Sequence, residues 1–385
     1  MHTARLHSFL LHAMTTPRVS DIVGIVNDLA PFRFAEEWDN AGLQVGDPAA
    51  PADRIIVALD AGKDTVEAAV AAGCNLLLTH HPLIFRPVKR VSTIDPVGAL
   101  LALALKNDLA IISLHTNFDI ADGGVNDILA GLLGITNCVP LKVTESEEFI
   151  KLSVFVPKGH EEKIMDALFK YSGFIGNYSE CSFCATGIGT FRPLKGAKPF
   201  IGKVGKREYT EEVRLEVLLR NEDLAPALKT LLASHPYEEP AYDLYPLLNM
   251  GKAVGLGRLG ELSAPVTLTD FAKLTKERLK AERVRYVGEG GRMLSKVALC
   301  GGSGASLLRE AAGKGADLLV TGDVKYHEAR EAESIGLALV DAGHFATEFP
   351  MVKGLKELIG RELAKRGHKS EITSYEGERE PFSYI

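Results

Sequence analysis

"LLLTHHPLIF", residues 76–85, decides how this sequence is read. Three leucines and a threonine form an apolar run of strand length, closed by two adjacent histidines and a proline. A run without polar alternation reads as a strand covered on both faces, as parallel strands of an α/β sheet are. Open α/β sheets place their ligand sites at the carboxyl ends of the strands. His80 and His81 stand at that end.

The same grammar extends in both directions. "RIIVALDA" (54–61) is a β-branched strand, "KDTVEAAVAAG" (63–73) a helix closed by Gly73, "DPVGALLALALKND" (95–108) a second helix and "LAIISLHTN" (109–117) a third strand. It returns near the C-terminus. "SKVALCGGSGAS" (295–306) is a strand with a glycine-rich turn, "SLLREAAGKG" (306–315) a helix and "ADLLVTGD" (316–323) a strand. "KYHEAREAESIG" (325–336) and "LALVDAGH" (337–344) add another helix and strand. "AAGCNLLLTHH" (71–81) aligns with "GKGADLLVTGD" (313–323), and "LAIISLHTNFD" with "LALVDAGHFATE" at an offset of one residue. The expected fold class is therefore α/β, two similar lobes over 18–148 and 248–385 building one domain.

Between the lobes, over 149–247, the texture changes. "KLSVFVP" (151–157) and "EEVRLEVLLR" (211–220) alternate like half-exposed strands, while "GHEEKIMDALFKYSG" (159–173) and "NEDLAPALKTLLASHP" (221–236) read as helices. Strand–helix–strand–strand–helix–strand is the ferredoxin-like order. An inserted α+β domain is expected here.

Bulk composition narrows the setting. The chain has 385 residues, 46% hydrophobic and 24% charged, with a formal net charge of -6. That gives no basic excess for nucleic acid, and the most apolar stretch, "GALLALAL" (98–105), is too short to span a membrane. Five cysteines are too few and odd in number for a disulfide framework, so reduced thiols and a cytoplasmic location are expected. "MHTARLHSFLLHAM" reads as a leader ahead of the fold rather than a signal peptide, with Met14 an alternative start to Met1.

Polar residues able to bind cations collect at the strand ends: His80 and His81, then His115 and Asp119, then His344 and Glu348, with Asp323 and His327 after the remaining strand. Imidazole and carboxylate donors suit zinc, iron or manganese. His115/Asp119 and His344/Glu348 are i, i+4 pairs, which share one face of a helical turn. Burying so many ionisable groups is costly unless a cation offsets them.

Five motifs in order, "EEWDNAGLQVGD" (36–47), "LLLTHHPLIF", "SLHTNFD" (113–119), "LLVTGDVKYHEA" (318–329) and "DAGHFATE" (341–348), resemble a dinuclear-metal family. Its members are known in bacteria as GTP cyclohydrolase I type 2 homologues and in eukaryotes as NGG-interacting-factor-three-like proteins. The insert, with "GTFRP" (189–193) and "HPYEEPAYDLYPL" (235–247), resembles the PII/CutA-like module of the longer members. The resemblance implies two divalent ions per chain, zinc foremost with iron or manganese as alternatives. It places the ligands on His80, His81, Asp119, His344 and Glu348. Glu348 bridges, His81 and Asp119 serve one ion, and His80 and His344 the other. His115 falls beside the site by that pattern, where it and Asp323 or His327 would hydrogen-bond ligands. A homohexamer, a trimer of dimers, is implied too.

The function expected is metal-dependent hydrolysis of a small molecule, a nucleotide or phosphoester, with no residue assigned a catalytic role. The alternative is a metal-binding regulatory or scaffold protein whose insert senses a small molecule or partner. "GGSGAS" (301–306) lacks the lysine of a P-loop and reads as a tight turn. Cys181 and Cys184 read as buried thiols without zinc, and Trp38, the single tryptophan, as packed against the first lobe. Lys325 and Tyr326 are placed near a substrate.

Overall fold

The computed structural model describes residues 15–249 and 251–383; both readings of the N-terminal leader and start lie outside them. The chain divides into two compact units, 15–145 with 254–383 and 146–253, as far as the described residues go.

In the larger unit, α1 (Val19–Leu29) leads to the strands β1 (Gly42–Val45), β2 (Arg54–Ala58), β3 (Leu76–Thr79) and β4 (Ala110–Ser113), with α2 (Lys63–Ala71) and α3 (Pro96–Lys106) between them. β2, β3 and β4 are parallel neighbours, and β1 closes the edge antiparallel to β4. The apolar runs are explained by cover on both faces. Ile55, Val57, Leu76 and Leu78 enter one core with Ile22 and Ile25 of α1, while Ile56, Leu77 and Ile111 meet Val66 of α2 and Leu101 of α3 on the other. α4 (Thr116–Ile120) and α5 (Val125–Leu133) follow β4. α5 ends at Gly134, whose φ of 74° suits a residue without a Cβ.

In the chain, β5 (Ile135–Ser146) precedes the smaller unit, whose first strand is β6 (Phe149–Pro157). α6 (Glu161–Leu168), β7 (Ser182–Phe191), β8 (Glu208–Arg220), α7 (Leu224–Ser234) and β9 (Tyr242–Leu247) complete it. The sheet order is β7-β8-β6-β9, every pair antiparallel. Leu152, Val154 and Val156 alternate into a core shared with Ile164, Leu168, Ala227 and Leu231.

β10 (Ala253–Thr267) returns beside β5 in the second sheet of the larger unit. α8 (Leu268–Arg278), β11 (Arg285–Val287), β12 (Met293–Leu299), α9 (Leu308–Gly313), β13 (Leu318–Thr321), α10 (Tyr326–Ser334) and β14 (Ala338–Asp341) follow. Parallel β12, β13 and β14 with antiparallel β11 at the edge repeat the plan of β2, β3, β4 and β1. The chain closes with α11 (His344–Glu348), α12 (Pro350–Lys365) and β15 (Glu371–Ser374).

The lobes do not follow the 18–148 and 248–385 boundaries. α12 packs Met351, Leu355 and Ile359 into the core of the first sheet, and β15 pairs with β2 there. Reciprocally, α5 puts Leu129 and Leu133 against the second sheet. Each sheet is thus covered by a helix from the other lobe's stretch of chain. Neither lobe closes its core alone, which is why the two make one unit.

Candidate metal centre

The carboxyl ends of β3 and β4 face the region where α11 begins after β14. Backbone N–H groups of His80 and His81 both donate to the carbonyl of Leu59, at 3.1 and 3.0 Å, which fixes the turn that carries them. His344 and Glu348 open and close α11, so their i, i+4 spacing sets His344 Nε2 3.0 Å from Glu348 Oε2. His81 Nε2 lies 3.2 Å from the same oxygen. His80 Nε2 lies 3.7 Å from Glu348 Oε1 and 3.8 Å from Asp119 Oδ1. All five residues expected as ligands are therefore gathered. The distances set His80 beside Asp119, and His81 beside His344. The resemblance implies the opposite grouping.

His115 is brought in as well. Its ring nitrogen stands with those of His80 and His81 in a group whose candidate donor atoms lie within 4.8 Å of one another, and His81, His344 and Glu348 form a second such group. Four histidines share one arrangement: Nδ1 donates to an oxygen, which turns Nε2 inward. The acceptors are the Leu114 carbonyl at 2.8 Å for His80, Asp60 at 2.8 Å for His81, Asp39 at 2.7 Å for His115 and Asp323 at 2.6 Å for His344. Such partners fix tautomer and ring orientation at metal sites. Asp323 thus has a partner on the site, whereas His327 is exposed and packs its ring against Tyr326. Tyr326 is exposed on α10, as is Lys325 before it. Sequence reasoning missed Asp60 and Asp39; the signal for Asp60 was its place just after β2.

Electrostatics favour positive charge here. Burial opposes protonation of His81, but Asp60 and Glu348 outweigh it and push its pKa up to about 10. The Glu348 contact leads in raising His344 to about 9, with Asp323 adding to it against burial. His80 is raised despite complete burial, by Asp119 and Glu348. Burial raises Asp119, whereas Glu348 is held well below the carboxylate range because its histidine contacts outweigh burial. Protons supply the compensating charge that a cation would supply by displacing them.

The donors fit a cation. His80 Nε2, Asp119 Oδ1 and Glu348 Oε2 are buried and lack a hydrogen-bond partner. Glu348 Oε2 does lie 3.0–3.2 Å from two imidazole nitrogens, so the contact is close but misaligned for a hydrogen bond. Two atoms each about 2.1 Å from one ion stand about 3.0–3.4 Å apart, so these separations suit shared coordination.

Gly302 is the other residue the sequence did not announce. It has φ +60°, and a Cβ there would fall 2.1 Å from Glu348 Oε1 and 3.3 Å from the His344 ring. The turn read from "GGSGAS" is present, and its glycine lets the backbone touch the carboxylate. Gly302→Ala is expected to displace Glu348 and weaken divalent-cation binding by about tenfold or more. Gly313→Ala, with open space at its Cβ, serves as the control. Equal affinities by isothermal titration would refute this role.

Beside His81 and His344 lies a cleft of about 1310 Å³, lined also by Asp60, Asp323, Phe345 and Glu378. Among the described residues no helix is long and apolar enough to cross a membrane. All five cysteines are free, and Cys184 is exposed rather than buried.

An α/β protein with a buried histidine and carboxylate group able to hold a metal ion is the class that fold and site define. The chain belongs to the Duf34/NIF3 (NGG1p interacting factor 3) family, whose model matches residues 17–381. A protein of Bacillus subtilis named GTP cyclohydrolase 1 type 2 homolog is 40% identical over 369 residues, covering 94% of this chain and 98% of the relative. One of the same name from Halalkalibacterium halodurans is 39% identical over 365 residues, with coverage of 94% and 98%. The crystal structure of a Bacillus cereus protein related to NIF3 matches with a TM-score of 0.85 at 38% identity, covering 96% of this chain and all of that one (100%). Staphylococcus aureus protein SA1388 matches with a TM-score of 0.83 at 28% identity, covering 97% of this chain and 100% of its own.

Proposed function

We propose that His80, His81, Asp119, His344 and Glu348 hold two divalent cations, zinc foremost, and that the protein is a metal-dependent hydrolase of a nucleotide or other phosphoester. The observation that carries this reading is the set of three orphaned buried atoms, His80 Nε2, Asp119 Oδ1 and Glu348 Oε2. Left without a partner, each would cost on the order of 1–3 kcal/mol. When bound, such a pair of ions supplies Lewis acidity and lowers the pKa of water. The chain's own part is positioning. Asp60, Asp39, Asp323 and the Leu114 carbonyl aim the imidazoles, and Glu348 presents Oε1 toward His80 and Oε2 toward His81 and His344. The adjoining cleft admits a small molecule. The names of the relatives make a guanine nucleotide one substrate to try. A hydrolysis screen over nucleotides and phosphoesters, run with metal-loaded protein and with a His80→Ala, His81→Ala control, tests it. No turnover above the control would end the hydrolase reading.

A second reading is regulation, with the unit 146–253 as a ferredoxin-like, PII/CutA-like sensor module. It is favoured by that unit's separate core and its β7-β8-β6-β9 sheet order. A homohexamer and a cytoplasmic location complete the proposal; a monomeric mass by light scattering would remove the former.

A further inference from the structure

We propose that Trp38 and Phe85 form a stacking platform that holds the planar ring of a heteroaromatic substrate at the His115 edge of the metal centre. This deepens the hydrolase reading and rests on it for the identity of the ligand as substrate. The two side chains are 58% and 48% exposed, a large aromatic surface left to water beside buried donors. Trp38, expected to be packed against the first lobe, meets Phe85 of that lobe edge to face, with centroids 5.9 Å apart and planes at 62°, while most of its surface stays open. Both rings also lie edge-on to His115, at 5.8 and 6.3 Å. His115 in turn shares the donor group with His80 and His81. With planes 62° apart the pair forms a corner, so a ring stacked on one face would meet the other side chain edge-on and have its substituents within a small molecule's length of the donors.

Exposure here does not mean looseness. Asn40 Nδ2 donates to the Ile84 carbonyl at 2.6 Å, and Ile84 N–H donates to Gln44 Oε1 at 3.2 Å. These bonds tie the turn that carries Trp38 to the loop that carries Phe85. Asp39, next to Trp38, accepts from Thr116 N–H at 3.0 Å and from His115 Nδ1 at 2.7 Å. The platform is thus bolted to the same residues that orient the site. A preorganised surface loses little freedom when a ligand settles on it. Aromatic faces stack any base, so the pair selects a planar ring without choosing among rings.

Trp38 is the only tryptophan in the chain, so intrinsic fluorescence reports on the platform directly. Metal-loaded, full-length protein is titrated with guanosine, adenosine and, as a ringless control, ribose 5-phosphate. Saturable quenching by the nucleosides alone is expected. Equilibrium dialysis with labelled guanosine should show binding weakened roughly 5- to 150-fold in Phe85→Ala and in Trp38→Ala, and largely kept in Trp38→Phe. Metal content should not change in any of them. For a ring-bearing substrate, KM should rise by more than kcat falls. No nucleoside quenching, wild-type affinity in both alanine variants, or a changed assembly mass in Trp38→Ala would each overturn the platform. The last would make the pair a contact between copies. Wild-type turnover of a ring-free ester such as glycerol phosphate tests the hydrolase reading by itself, so the two failures can be told apart.

Discussion

Glu348→Gln is expected to abolish high-affinity binding of divalent cations while leaving the fold intact. The substitution keeps the shape of a side chain that is 4% exposed and removes its charge. Its two oxygens face His80 on one side and His81 with His344 on the other. No other carboxylate among the described residues lies this close to three of the histidines. Loss of a mere outer partner of a metal ligand costs about 10–100-fold in affinity, and a carboxylate shared by the whole group should cost more. Asp323→Asn, which touches His344 alone, should fall within that lower range. Calorimetric titration with zinc or manganese ranks the two. Glu348→Gln binding as tightly as Asp323→Asn would show that the carboxylate is not shared.

Arg258→Ala carries the largest expected effect on stability. Arg258 is 2% exposed on β10, and its guanidinium donates to both oxygens of Asp127 at 2.8 Å. It also donates to the carbonyls of Gly255, Gly257 and Ala121 at 2.8–2.9 Å. Those contacts join the second sheet to the segment just beyond Asp119, so the arginine holds the Asp119 loop as well as the fold. Truncating Arg258 should cost about 3 kcal/mol or more, because the carbonyls it serves stay buried without that donor and Asp127, partly exposed, loses its ion pair. In metal-free protein the melting temperature should drop by on the order of 10 °C. Arg258→Lys should fall between, keeping the charge without the fork that reaches both Asp127 and the carbonyls. A loss below about 1 kcal/mol would place the pair among weak surface bridges.

The sequence made visible what is written locally. The runs at 76–79, 110–113, 318–321 and 338–341 are buried at every position because both faces are covered, so their lack of alternation already announced parallel strands. The site histidines could be read because strand ends are where such sheets place ligands, and the His344/Glu348 spacing because one helical turn brings the pair together. What depended on distant packing left no local mark. α5 and α12 have ordinary amphipathic patterns that do not say which sheet each will cover. Asp39 and Asp60 stand in turns, where carboxylates are common; only the fold turns them toward His115 and His81. Gly302 is needed because of Glu348, 46 positions later in the chain, and a glycine-rich turn looks the same without that neighbour. His115 caps the start of the short helix that carries Asp119 and lies in the donor group with His80 and His81, although the family pattern alone had set it to one side.

Elemental analysis of purified protein, loaded with zinc and then dialysed, is the sharpest test of the proposed dinuclear centre. About two ions per chain are expected, as a paired site requires, with a clear loss in the His80→Ala, His344→Ala double variant. A wild-type protein that retains no ion, or a double variant that retains as much as the wild type, would contradict it.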